Sequence, residues 1–153
     1  MIYLEMLHVR WEPGKEVLSK YSVKEQLRFE EWIAEEFIAQ VRKSIDNQRY
    51  KSRWAPLSIR YLQQKRDKGL STKTWIATGE IYKSLKFKKS SRTVGFDNRR
   101  KHRNSEETCL QIARKLEYGS LGIPPRPLFR PVYWYMRKNI QFFVRKYLKE
   151  VGK

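Results

Sequence analysis

The stretch 22-SVKEQLRFEEWIAEEFIAQVRKSID-46 decides how the first third of the chain folds. Ser22 precedes Glu25 by three residues, the spacing at which a serine side chain and a glutamate cap each other's backbone N–H at a helix start. Leu27, Trp32, Ile33, Phe37, Ile38, Val41 and Ile45 then recur at helical spacing. Glu30, Glu31, Glu35 and Glu36 lie between them, with Glu35 and Glu36 leading toward Arg42 and Lys43. One face is apolar and the other charged, so a single long amphipathic helix is predicted, packing a core and keeping its acidic face in water.

Working outward, residues 2–11 alternate loosely as a first strand, which Pro13-Gly14 ends. In 50–70 a tryptophan before Ala-Pro leads into a short helix that Gly69 closes. Thr78-Gly79 breaks the chain again before a helix of one or two turns carrying Ile81 and Leu85. Residues 85–89 and 92–97 are predicted as a β-hairpin, and 99–107 as a charged loop. Leu110, Ile112, Ala113 and Leu116 define a short helix over 108–118 that Gly119 stops. Met136, Ile140, Phe143, Val144, Tyr147 and Leu148 define a terminal helix over 132–149. The expected fold is α+β: one domain, 1–153, in which a small antiparallel sheet is flanked by the long N-terminal amphipathic helix and the C-terminal helix.

With 40% hydrophobic residues over 153 positions, the chain has material for one core that buries roughly two-thirds of its unfolded surface. No apolar run is long enough to cross a bilayer, and MIYLEMLHVR lacks a basic-then-apolar leader pattern, so a protein made and kept in the cytoplasm is expected. Lys and Arg number 34 against 16 Asp and Glu, a net charge of +18. Residues 1–50 hold 8 basic and 9 acidic side chains, so the excess sits entirely beyond residue 50. Such polarity points to an anionic partner, a nucleic acid or an acidic protein.

Signatures of chemistry are missing. No phosphate-cradling glycine loop, HExxH or GxSxG occurs. Cys109 stands alone, with only His8 and His102 beside it, which excludes an intrachain disulfide and a closed Cys/His zinc site. Asp97 with Glu106 and Glu107 reads as local charge balance among arginines and lysines, not as a metal cluster, and Cys109 as a small buried hydrophobe. The reading is non-enzymatic, with no cofactor and no metal. Around the hairpin and the loop after it, Lys86, Lys88, Lys89, Arg92, Arg99, Arg100, Lys101 and Arg103 are the candidate DNA-facing cations. They would meet phosphates without reading bases.

The segment 116-LEYGSLGIPPRPLFRP-131 is the other feature. Gly119 and Gly122 release the chain, and Pro124, Pro125, Pro127 and Pro131 fix φ and oppose helix. A strap over 119–131, held extended, has little entropy to lose on docking. Alternation along an extended chain puts Arg126, Leu128 and Arg130 on one side and Phe129 on the other. Glu117, Tyr118, Gly119, Pro124, Pro125, Arg126, Pro127, Leu128, Phe129 and Arg130 are therefore the candidate interface, its arginines aimed at carboxylates such as those of a neighbour's acid-rich helix. An internal brace leading into the last helix is the competing reading.

Two motifs, 54-WAPLSIRYLQQKRDKG-69 with 75-WIATGEIYKSLKF-87, and 112-IARKLEYGSLGIPPRPLFRP-131, together resemble the virion morphogenesis and tail-completion proteins of long-tailed double-stranded DNA phages, also called neck or head–tail joining proteins. The residues that match are Ala113, Glu117, Gly119, Pro125, Arg126, Pro127, Leu128 and Phe129, and the resemblance covers roughly residues 50–135. The charged insertion at 99–106 is longer than the family pattern. The resemblance implies a structural subunit assembled in the host cytoplasm and located in the virion at the head–tail junction. It further implies a homo-oligomeric ring, a hexamer favoured, between the connector or tail terminator and neighbouring tail proteins, with its basic face toward the DNA backbone and no membrane contact. A stand-alone, sequence-independent nucleic-acid-binding protein is the alternative, and a small basic toxin-type ribonuclease stands behind it.

Overall fold

The computed structural model describes residues 1–103 and 105–152. In chain order the elements are β1 (Ile2–Leu4), β2 (Val9–Trp11), α1 (Lys15–Leu18), α2 (Val23–Asp46), a 3-10 turn (Lys51–Arg53), α3 (Ile59–Asp67), α4 (Glu80–Ser84), β3 (Leu85–Lys88), β4 (Thr93–Phe96), α5 (Cys109–Tyr118), α6 (Phe129–Lys138) and α7 (Ile140–Glu150). The class is α+β, with the long N-terminal helix and the C-terminal helices set against one sheet.

The α2 helix starts as its sequence demands. Ser22 N–H donates to Glu25 Oε2 at 2.9 Å, and Glu25 N–H donates back to Ser22 Oγ at 3.4 Å. Its core side is wider than the periodicity suggested: Phe29 and Ala34 are fully buried beside Ile33, Phe37 and Val41, while Leu27 is exposed. Its acidic side is not simply solvated. Glu31 pairs with Lys89 at 3.0 Å, Glu36 with Lys146 at 2.9 Å, and Glu30 with Arg92 and the N-terminal amine. Three of the basic side chains beyond residue 50, Lys89, Arg92 and Lys146, are thus folded back onto the acids of α2.

The first strand is two strands. His8 takes φ +50 at the end of the turn after β1, and β2 returns antiparallel to β1 with Ile2 opposite Trp11. The sheet order is β2-β1-β4-β3. The two outer pairings are antiparallel as expected, but β1 and β4 run parallel, with Leu4 opposite Val94. A parallel neighbour needs a long crossover, which the chain from α1 to β3 provides. Ile2, Leu4, Val94 and Phe96 are all buried in the hydrophobic core. There Trp11 meets Phe37 edge-on, and Phe129 lies 5.5 Å from Phe37 and 5.2 Å from Phe96 between ring centroids.

The terminal helix is two helices. Asn139 sits at φ −106 and ψ 21 and turns its amide to the Tyr135 carbonyl at 2.7 Å. By bonding a carbonyl of the preceding turn, the side chain closes α6 and lets α7 set off afresh to pack on α2. The upstream helix also begins earlier than predicted, at Phe129, because Pro131 falls within its first turn, where a missing N–H costs nothing.

Candidate interface: the strap and the groove beside it

Helix α5 opens with a capping box, Thr108 with Gln111, and delivers Glu117 to the protein interior four residues after the buried Ala113. The α5 helix ends at Gly119, whose φ of +83 suits glycine, and whose tight turn would bring any Cβ to 3.1 Å from the Ile123 carbonyl oxygen. A small turn pairs Ser120 with Ile123 and leaves Leu121 wholly exposed at its tip. Pro124 to Pro127 then run back across the entry to α3.

Three contacts fasten that run. Arg126 N–H donates to Leu116 O at 2.6 Å, Trp54 Nε1 donates to Pro127 O at 2.7 Å, and Trp75 Nε1 donates to Arg126 O at 3.0 Å. The Arg126 side chain, 5% exposed, passes inward. Its Nε donates to Ala55 O at 2.8 Å, Nη2 to Pro56 O at 3.1 Å and Nη1 to Pro124 O at 3.4 Å. Trp75 adopts φ +68 to aim its indole here, and its ring stacks on Phe96.

Beyond the prolines the chain enters α6 under the control of Glu117. Its fully buried carboxylate accepts from the backbone N–H groups of Leu128 at 2.7 Å, Phe129 at 3.0 Å and Arg130 at 3.1 Å. Arg130 Nε reaches the same carboxylate at 3.4 Å, and the Arg130 guanidinium lies over the Tyr118 ring. Leu128, at the N-cap position, has no side-chain acceptor of its own, so a carboxylate from another helix does the capping.

These facts correct the reading of the strap as a two-sided docking ribbon. Glu117, Arg126, Leu128 and Phe129 are buried within the chain and present nothing to a neighbour. Leu128 and Phe129 both turn inward because the Glu117 cap ends the extended run and starts the helix, so alternation stops before it can separate them. Gly119 and Pro127 are half-buried; Tyr118, Pro124, Pro125 and Arg130 form the outward edge.

The candidate DNA-facing cations divide in two. Lys86 pairs with Asp97 at 2.8 Å, Lys88 with Glu5 at 3.4 Å, Lys89 with Glu31, and Arg92 with Glu30. The Lys86 ammonium, with the Arg99 N–H, holds the Asp97 carboxyl down at about 2. Lys101 pairs with Glu106 at 2.8 Å. Arg99, Arg100 and Arg103 are exposed, and among the described residues their guanidinium groups make no hydrogen bond or close ion pair, although the Arg100 charge is felt by Glu80. Glu80 of the TGE turn positions their loop, accepting from Arg103 N–H at 2.8 Å and lying 3.6 Å from His102 Nε2.

Sequence reading missed Lys65. On α3, it is 3% exposed and donates to Lys73 O at 2.8 Å and Ile76 O at 2.7 Å. Burial, and then the neighbouring charge of Arg126, lower its pKa from the ordinary 10.5 to about 8. The folded protein therefore gives up this proton sooner than the unfolded chain does. Across the window between those two values the unfolded state binds more protons, and stability rises with pH. The urea midpoint is expected to climb between pH 8 and about 9.5, and Lys65→Met to flatten that part of the profile. A wild-type midpoint that is level or falling there counts against this account.

Among the described residues no group of three or more His, Cys, Asp or Glu could hold a metal ion, and no helix is long and apolar enough to cross a membrane. Compared with protein-family models, curated proteins and solved structures, the chain matches none.

Proposed function

We propose that this chain is a non-enzymatic structural subunit of a long-tailed double-stranded DNA phage, a tail-completion protein that forms a ring with its own copies at the head–tail junction and helps join head to tail. One observation carries the reading. The two motifs that resemble the neck family are far apart in sequence but are locked into one unit, with Trp54 bonded to Pro127 across 73 residues and Trp75 to Arg126 across 51. A resemblance that maps onto a single braced substructure is coherent; scattered likeness would not be.

The charge distribution supports the same role. Subunits of net charge +18 repel one another, so a closed ring needs an anion to offset the repulsion. Genomic DNA in the channel would supply it, with Arg99, Arg100 and Arg103 contacting phosphates without reading bases. The outward edge of the strap, with Tyr118, Pro124, Pro125 and Arg130, is the surface left for the adjoining subunit.

The test is a phage deleted for this gene and complemented in trans. Without the chain, filled heads and finished tails are expected to accumulate apart, and complementation should join them, with an antibody label at the junction. The quadruple charge reversal R99E/R100E/K101E/R103E should fold yet restore joining poorly. Normal particles in the deletion strain, or label away from the junction, would rule the reading out.

A further inference from the structure

Beside the strap lies a groove of about 990 Å³ between α3, α5 and the Trp75 turn. Its walls are largely aliphatic and aromatic, with Tyr61, Trp75, Ile112 and Leu116 among them, and its volume falls in the range of sites that hold ligands. Lys65 and Arg126 both line it. Each is more than nine-tenths buried; their hydrogen-bond acceptors are all neutral backbone carbonyls, and the Lys65 ammonium also lies 5.4 Å from the centre of the Tyr61 ring. An ammonium has three N–H donors and a guanidinium five, so one donor on Lys65 and two on Arg126 remain after those bonds. Two like charges are thus held together in an apolar site with donors to spare, an arrangement that a carboxylate would relieve.

The chain itself has little acid to offer: Glu107, the acidic residue in the groove's lining, is already paired with Lys115. Among the described acidic side chains, only Glu16 and Glu35 lack a side-chain or backbone partner, and a second copy brings the same repelling charge. The walls favour aliphatic and aromatic side chains over a sugar–phosphate chain. We propose that the groove receives an apolar peptide segment of a different protein, which lays an Asp or Glu carboxylate against Lys65 and Arg126. The proposal goes beyond the neck reading and does not need it.

An arrayed set of acetylated, amidated hexapeptides tests it, built from Leu, Ile and Phe with one fixed Glu, each beside its Gln twin. Binding is read by fluorescence anisotropy at pH 7. Members of the Glu set are expected to bind, with the Gln twins weaker by about tenfold or more. Lys65→Met should abolish that preference, whereas Arg66→Met, which removes an exposed charge from the same helix, should leave it intact. Ile59 is 88% exposed at the rim, so Ile59→Glu should leave the fold unchanged and weaken the Glu peptides by repulsion. The preference should shrink as pH passes about 8 and the ammonium is lost. The proposal is overturned if no member binds, if Glu and Gln twins bind equally, or if Arg66→Met acts as strongly as Lys65→Met. Displacement of the Glu peptides by short duplex DNA at equal salt would make phosphate the occupant and overturn it too.

Discussion

Replacing Glu117 with alanine is expected to lower the unfolding free energy by about 3 kcal/mol, a fall of roughly 6–12 °C in Tm for a chain of this length. The magnitude follows from what the carboxylate leaves behind. Three backbone N–H groups, of Leu128, Phe129 and Arg130, point into a site from which Glu117 itself is wholly screened from water. An orphaned buried donor costs about 1–3 kcal/mol, and water entering the vacated space recovers part of that. The negative charge also sits at the positive end of α6, where it is stabilising. Glu117→Gln keeps one acceptor oxygen and is expected to lose about half as much.

Two measurements separate a cap from ordinary core packing. Urea unfolding gives the total loss. Amide exchange in the native state should show the Leu128, Phe129 and Arg130 N–H groups losing protection in Glu117→Ala ahead of the rest of α6. A loss below about 1 kcal/mol, with protection unchanged at those amides, would falsify the capping role.

The parts of this fold legible in the sequence were those written in short-range patterns. The start of α2 was readable from Ser22 and Glu25, the ends of α3 and α5 from Gly69 and Gly119, and the β3–β4 hairpin from its alternation. The pattern fails where the deciding partner is distant. Nothing near Leu128 announces that Glu117 will cap α6; the available signal was an acid at the i+4 position from buried Ala113, on the apolar side of its own helix. The parallel pairing of β1 with β4 was likewise hidden, since register between strands so far apart is set by the core they share. At Asn139 the local signal existed, an asparagine inside an otherwise continuous periodic run, but periodicity alone reads through it. The basic surface was legible as a count and not as a surface, because composition cannot say that Lys86, Lys88, Lys89 and Arg92 will meet acids from the turn after β1, from α2 and from the loop after β4. Lys65 was invisible for a related reason: a lysine on a charged helix ordinarily reaches water, and only the turn carrying Lys73 and Ile76 encloses this one.

Arg126 poses the sharpest test of what the strap does, because its interior position reverses the expectation raised by the sequence. A docking arginine would lose assembly and spare the fold. A bracing arginine loses the fold, and assembly follows only as a consequence. Its guanidinium ties three carbonyls, of Ala55, Pro56 and Pro124, so that the strap and the entry to α3 are held by one planar fork. Hydrogen bonds from a charged donor contribute about 1.5–3 kcal/mol each at most, and here Pro56 and Pro124 are exposed enough for water to take over. Arg126→Met is therefore expected to cost about 2–3 kcal/mol. Arg126→Lys, which keeps the charge but not the fork, should recover less than half of that. The substitution has a second consequence that a simple packing defect lacks. Without the guanidinium, Lys65 is relieved of a repelling neighbour, and its pKa should move back up from about 8. The rise in stability with alkaline pH should then begin later and be smaller in Arg126→Met than in the wild type. A variant that folds with unchanged stability and an unchanged alkaline profile, yet fails to assemble, would return Arg126 to the subunit interface and leave the Trp54 and Trp75 bonds as the whole of the brace.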